Sequence, residues 1–278
     1  MSSAAPLVIR FIGGGNMASA LVGGLLRTGH PATAIQVVEP DAAARDRLVA
    51  ATGVAPCAAT PAEWPPCELA VLAVKPQVLR EVARQHAASL HAALVVSVAA
   101  GIRLADLSRW LDGHRRVVRA MPNTPALVGA GVTGLAAGPG LDDTDRARAQ
   151  ALFDAVGSSL WVDDDAGIDL VTALSGSGPA YMMLMVEALT AAGVAQGLEA
   201  DRAEQLALDT MAGAVALMRT SQAPPATLRA QVTSPGGTTE RGIGALQAGG
   251  FEALLATAVA AARARAAELG EMLGKDPT

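Results

Sequence analysis

Residues 232–242, VTSPGGTTERG, set two glycines and two threonines directly after a proline. Backbone that bare offers main-chain N–H groups to a small acidic guest, because no Cβ stands in the way. Ser234 suits a helix N-cap, with Pro235 at the first helical position, where a missing N–H is no loss. Gly236 and Gly237 would then leave the following amides uncovered for a carboxylate. Thr238 and Thr239 would bring hydroxyls to the group that carries it. The plainer alternative is a glycine-rich connector whose threonines only cap.

FIGGGNMA (11–18) ends an apolar run and opens a helical pattern. Gly13, Gly15 and Ala18 fit G-x-G-x-x-A, the dinucleotide fingerprint. Gly13 permits the tight turn, Gly15 lets amides approach a pyrophosphate, and Ala18 keeps helix and strand close. The helix N-terminus adds a favourable dipole. Glu39 ends the second apolar run, where the residue that reads the adenine ribose belongs. A carboxylate there accepts from a 2′-OH and repels a 2′-phosphate, which taken alone favours NADH. Arg45 and Arg47 follow closely enough to offset that repulsion, so NADH and NADPH both stay open.

The distribution of bases narrows the chemistry. Only Lys75 and Lys275 are lysines, and the four histidines (His30, His86, His91, His114) all lie in the first half. A hydroxy-acid dehydrogenase needs a base for the alcohol proton, usually His or Lys, and the second half offers neither apart from the tail lysine. Reduction of a carbon–nitrogen double bond needs no strong protein base, since solvent can protonate a cyclic imine. It needs positioning, capture of a carboxylate and one hydroxyl donor. Lys75, in AVKPQ, falls at a strand's carboxyl end, the crevice a cofactor uses. His86 and His91 read as residues of a surface helix, and His30 follows a helix-stop glycine.

These groups need a scaffold, and the first half supplies alternating short apolar runs and helical patterns. Strands are expected at 7–13, 35–40, 68–76, 93–101, 115–126 and 158–164, with a possible edge strand at 132–138. Helices are expected at 17–29, 43–53, 78–90, 103–111 and 142–157, the last with an acidic start and a glycine stop. Apolar strands separated by helices imply a Rossmann-type, doubly wound, mostly parallel sheet covered on both faces. Beyond residue 164 every segment has helical spacing. The expected division is therefore a dinucleotide-binding domain at 1–164 and an all-helical domain at 165–278, for substrate binding and dimerisation. Glycines and Pro179 in SGSGPAY (175–181) are expected to kink or interrupt a helix. Amphipathic helical faces in excess of what a monomer can cover predict a dimer, with Met182, Met183 and Met185 in a core or a subunit interface.

Composition excludes several classes. The net charge of −5 and 3% aromatic content give no footprint for nucleic acid. Mean hydropathy is +0.34, yet the longest apolar stretch, from Tyr181, carries Glu187 and Gln196 and reads as a buried helix rather than a membrane span. The start, MSSAAPLVIRFIGGG, has no basic segment ahead of a long apolar one, so no secretory leader is expected. Cys57 and Cys67 lack metal or redox spacing and read as reduced thiols of a cytoplasmic protein.

FIGGGNMA, AVKPQ, SVAAGI, VVRAMPNTPA, ALSGSGPAY and VTSPGGTTERG together, in this order over nearly the whole chain, resemble Δ1-pyrroline-5-carboxylate reductase. The resemblance implies NADPH- or NADH-dependent reduction of 1-pyrroline-5-carboxylate to proline, the last step of proline biosynthesis, by a homo-oligomer. It implies that Ile12, Gly13, Gly14, Gly15, Asn16 and Met17 hold the pyrophosphate. Val74, Lys75 and Ala100 would line the rest of the cofactor path, and Asn123 and Thr124 would border the nicotinamide. Ser234, Gly236, Gly237, Thr238 and Thr239 would take the substrate, with Thr239 as hydroxyl donor, and Asp165 matches an acidic position near the substrate in some relatives. Two departures concern the adenine end, since NADPH-preferring members often carry a small hydroxyl residue at Glu39 and an Asn at Thr60. No metal is implied. A hydroxy-acid dehydrogenase, a related cyclic-imine reductase and a non-catalytic nucleotide-binding regulator are the alternatives.

Overall fold

The computed structural model describes residues 6–275; the first five residues of the segment read for a leader lie outside it. The chain forms two compact units, 6–177 with 261–275 and 178–260.

The first unit is built on a seven-stranded sheet in the order β2-β1-β3-β4-β5-β6-β7. Its strands are β1 (Ile9–Ile12), β2 (Ile35–Val38), β3 (Leu69–Leu72), β4 (Leu94–Ser97), β5 (Val117–Met121), β6 (Gly131–Ala137) and β7 (Gly157–Trp161). Every pair is parallel except β5–β6. All four residues of β1, β2, β3 and β4 are buried, as expected of mostly apolar strands covered on both faces, and the buried Arg10 Nε donates to Gln36 Oε1 at 2.8 Å. Alternate residues feed opposite cores. Phe11, Val71, Val96 and Val118 pack with α1 (Asn16–Arg27) and α5 (Asp143–Asp154), while Ile12, Leu72, Val95 and Val117 pack with α3 (Pro76–Leu90) and α4 (Leu104–Trp110). Each fully buried Leu or Phe here contributes about 1.5–3 kcal/mol.

One expectation needs correction. The strand at 132–138 is not an edge: β6 sits between β5 and β7, and β7, with its half-exposed alternating side chains, closes the sheet. The two compact units divide after Ser177. α6 (Asp165–Val171) belongs to the first unit because its carboxylates are tied to the sheet. Arg119 on β5, 2% exposed, donates to Asp165 Oδ1 at 2.6 Å and to Asp169 Oδ1 at 2.8 Å.

A π-helical turn, Thr172–Gly176, follows α6, with Ser177 N–H bonded to Thr172 O at 2.8 Å. The expected interruption at SGSGPAY is thus one inserted residue per turn rather than a break, a device common at functional sites. A Cβ on Gly176 would sit 2.8 Å from Met121 Cε, so this residue lets the turn close on the end of β5.

The second unit contains α7 (Gly178–Ala195), α8 (Ala200–Ser221), α9 (Pro225–Gln231), α10 (Thr238–Ala248) and the start of α11 (Phe251–Gly274). α7 packs along α8, and a Cβ on Gly193 would lie 3.2 Å from that of Ala203. The stretch from Tyr181 is not a buried helix: α7 has no buried residue, and Met182, Met183, Leu184 and Leu189 are exposed. By length and composition alone, the helical run Asp165–Ala195 is long and apolar enough to cross a membrane.

Candidate functional site

In the first unit, the carboxyl ends of β1, β2 and β3 open onto a cavity of about 690 Å³. The sequence-predicted residues Ile12, Gly13, Gly15, Glu39, Thr60, Val74 and Lys75 all line it. Gly13 has φ +104°, and a Cβ there would approach Ala73 O to 2.5 Å, so only glycine makes this turn. Gly15 is the N-cap of α1, without a side-chain capping bond, and a Cβ on it would meet nothing within 4 Å. The first amides of α1, from Asn16 and Met17, therefore face open space with the helix dipole behind them, an anion cradle. Thr60 Oγ1, a buried hydroxyl on the cavity wall, has no hydrogen-bond partner among the described residues. An extended, phosphate-bearing dinucleotide fits this combination.

Glu39 is held where it stands. Its Oε2 accepts the Gly14 N–H at 2.7 Å and its Oε1 accepts the Asp41 N–H at 2.9 Å. Gly14 therefore meets Glu39 instead of presenting its amide to the cavity. Arg45 donates to the carbonyl oxygens of Glu39 (2.9 Å) and Pro40 (2.8 Å), bracing the chain between β2 and α2 (Ala42–Thr52). Arg47 lines the cavity.

The opposite wall was not anticipated. Val78, Glu81, Val82, Gln85 and His86 of α3 line the cavity, and their spacing is that of a single helix face. His86 is therefore a cavity residue rather than a surface one. Burial, with Arg10 second, holds its imidazole below the ordinary value, which favours the neutral ring.

Three expected positions lie elsewhere in this unit. Ala100 sits in the turn after β4, apart from the residues lining the cavity. Asn123 spends both ends of its amide on the fold: Oδ1 accepts from Val132 N at 2.9 Å, and Nδ2 donates to Ser175 O at 3.1 Å. That bridge ties the loop after β5 to the π turn and leaves Thr124 at the exposed start of a short 3-10 helix. Asp165 is committed to Arg119 and also accepts the Leu104 N–H at 3.2 Å. Its carboxylate is a structural ion-pair partner, not a free substrate ligand.

In the second unit, the Pro235–Gly236 turn leads into α10, and the cap is not the one expected. Gly237, not Ser234, is the N-cap; Ser234 contributes its carbonyl, which accepts the Gly237 N–H at 3.0 Å. Gly236, at φ +73°, makes the turn, and its N–H goes to Glu240 Oε2 at 2.8 Å. Both glycine amides are thus used locally. The amides freed by helix geometry are those of Thr238, Thr239 and Glu240, at the first three helical positions. Thr238 and Thr239 are exposed, so hydroxyls and amides converge on one solvent-facing helix start.

Comparison with known proteins agrees in both units. Residues 165–269 match the family model described as pyrroline-5-carboxylate reductase dimerisation, and residues 8–101 match one described as NADP oxidoreductase, coenzyme F420-dependent. A pyrroline-5-carboxylate reductase of Pseudomonas aeruginosa is 45% identical over 96% of this chain and 98% of its own. Among solved structures, the enzyme of that name from Coxiella burnetii superposes with a TM-score of 0.89 at 38% identity, covering 95% of this chain and 98% of the other. A Plasmodium falciparum pyrroline carboxylate reductase with NADP bound gives 0.84 at 28% identity, covering 96% and 100%.

Proposed function

The chain belongs to the pyrroline-5-carboxylate reductase family, and we propose that the cavity of the first unit takes the dinucleotide and that the start of α10 takes the substrate. It is an NAD(P)H-dependent oxidoreductase that reduces the C=N bond of 1-pyrroline-5-carboxylate to give L-proline. Reduction adds a hydride to the imine carbon and a proton to the ring nitrogen, and the bound reduced nicotinamide supplies the hydride.

Gly13, Gly15 and the first amides of α1 would hold the pyrophosphate, Val74 and Lys75 would flank the path beyond it, and Thr60 would meet a polar group of the cofactor. The Thr238 and Thr239 amides take the substrate carboxylate, where the dipole of α10 adds to the two N–H donors. The Thr239 hydroxyl donates to the ring nitrogen, with its proton replaced from solvent. The observation that carries this reading is the N-cap at Gly237, which leaves the amides of the exposed Thr238 and Thr239 without intrahelical partners, beside the Glu240 carboxylate that takes the Gly236 N–H.

One assay tests it: purified chain, pyrroline-5-carboxylate, and NADH or NADPH in parallel, for wild type and Thr239→Ala. Wild type forms proline in step with cofactor oxidation. Loss of the hydroxyl lowers kcat/KM by about 10-fold or more, equivalent to about 1.4 kcal/mol of transition-state stabilisation. No proline from wild type would remove the reaction, and an unchanged kcat/KM in the variant would remove Thr239 from the chemistry.

The protein is a homo-oligomer, and we assign the contact between copies to the exposed apolar residues of α7 and α8, a reading supported by the dimerisation family match. A cytoplasmic setting is supported by Cys57 and Cys67, which stand unpaired.

A further inference from the structure

The cavity's adenine end carries an acid that is fixed rather than free. Glu39 leaves β2 with its carboxylate pinned by two main-chain donors, Gly14 N–H and Asp41 N–H. Those bonds are charge-assisted and cannot both persist if the side chain swings aside. The packing agrees, since a Cβ on Gly14 would fall 2.9 Å from that of Glu39. A carboxylate has about four acceptor sites, so two donors leave capacity for a hydroxyl of a ribose. The same anion repels a phosphate placed at that hydroxyl's position.

The nearby cations do not reverse this. Arg45 is engaged with the Glu39 and Pro40 carbonyl oxygens, and Pro40 has no side-chain donor of its own. Arg47 lines the cavity, but Asp41 beside it and Glu81 on α3 do so as well. Lys75 lies past the end of β3 rather than on β2. The wall that follows β2 therefore presents Glu39 and Asp41 against Arg47.

We propose that Glu39 makes this chain selective for NADH over NADPH by excluding the 2′-phosphate. The inference rests on the reading of the cavity as the dinucleotide site, and it departs from the Plasmodium falciparum relative, which was solved with NADP.

The test measures dissociation constants for NADH and NADPH by nucleotide fluorescence, and kcat/KM for each with pyrroline-5-carboxylate. Four variants accompany the wild type: Glu39→Ser, Glu39→Gln, Glu39→Asp and Arg45→Ala. Wild type favours NADH by about 10-fold or more in both readouts, equivalent to about 1.4 kcal/mol. Glu39→Gln keeps an acceptor for Gly14 but no charge, and it narrows the ratio about 10-fold by tightening NADPH. Glu39→Ser narrows or inverts it. Glu39→Asp keeps the NADH preference, and Arg45→Ala leaves the ratio as it is.

A wild type that binds NADPH as tightly as NADH overturns the proposal, as does an unchanged ratio in the Gln and Ser variants, or a selective loss of NADPH binding in Arg45→Ala. Tighter binding of NADH than of NADPH without turnover upholds the selectivity and removes the reaction. Failure of both cofactors to bind removes the cavity assignment together with this inference.

Discussion

Residues whose demands are local were legible in the sequence. Gly13 and Gly15 were identified because a tight turn and an open amide each require glycine at one position, and nothing distant alters that. Glu39 was placed correctly at the end of β2, but its bonds to Gly14 and Asp41 depend on how the loop closes. The turn before α10 shows the limit. Its chemistry was legible, yet which residue caps the helix depends on the positive φ of Gly236 and the reach of Glu240. Partners far apart in the chain were not legible at all. Arg116 and Asp145, 29 residues apart, form two hydrogen bonds at 2.8 and 2.7 Å, and Asp145 is 1% exposed. The Arg116 guanidinium holds the Asp145 carboxyl below its usual range, against the effect of burial. A carboxyl lowered on folding stabilises the protein above its unfolded value, about 3.9, and loses that contribution as pH falls through the folded one. Asp145→Asn should therefore cost about 1–3 kcal/mol at neutral pH. In thermal melts from pH 7 to 3, the gap between variant and wild type should close as the medium becomes acid. A gap that ignores pH would show that the ion pair contributes nothing.

At the scale of elements, period and punctuation carried most of the fold. β1–β4 read as strands because each is a short, mostly apolar run, with Arg10, Gln36 and Ser97 the polar residues buried among them, and the N-caps Asp41 and Asp142 mark the starts of α2 and α5. The position of β6 was missed because a short apolar run does not announce its neighbours, and the antiparallel turn from β5 passes through a 3-10 helix (Thr124–Val128). The cavity wall on α3 was available in principle. Val78, Glu81, Val82, Gln85 and His86 follow helical spacing, but a mixed polar stripe resembles a solvated face until a cavity is known to lie against it. α6 was assigned to the helical half by its pattern, while Arg119 binds it to the sheet. A buried cation satisfied by two carboxylates cannot be inferred from a sequence in which the three residues lie 46 and 50 positions apart.

For the whole molecule, the exposed apolar faces are the feature a single chain does not explain. Met183 and Leu184 on α7, and Leu206 and Leu208 on α8, are each more than half exposed. Leaving such residues in water forgoes about 1.5–3 kcal/mol apiece. A second copy of the chain is the occupant that the dimerisation family match favours. Light scattering should return twice 28.0 kDa or a higher multiple, and Met183→Glu should shift the population toward the single-chain mass. A wild type that stays at 28.0 kDa at assay concentration would exclude this interface. The reductase reading makes a sharper demand, because substrate capture is assigned to the two main-chain amides that open α10. A crystal structure with proline and the oxidised dinucleotide bound tests it most directly. The proline carboxylate should lie about 3 Å from the Thr238 and Thr239 nitrogens, with the Thr239 hydroxyl on the ring nitrogen. A carboxylate held by other residues, with the start of α10 in solvent, would contradict it.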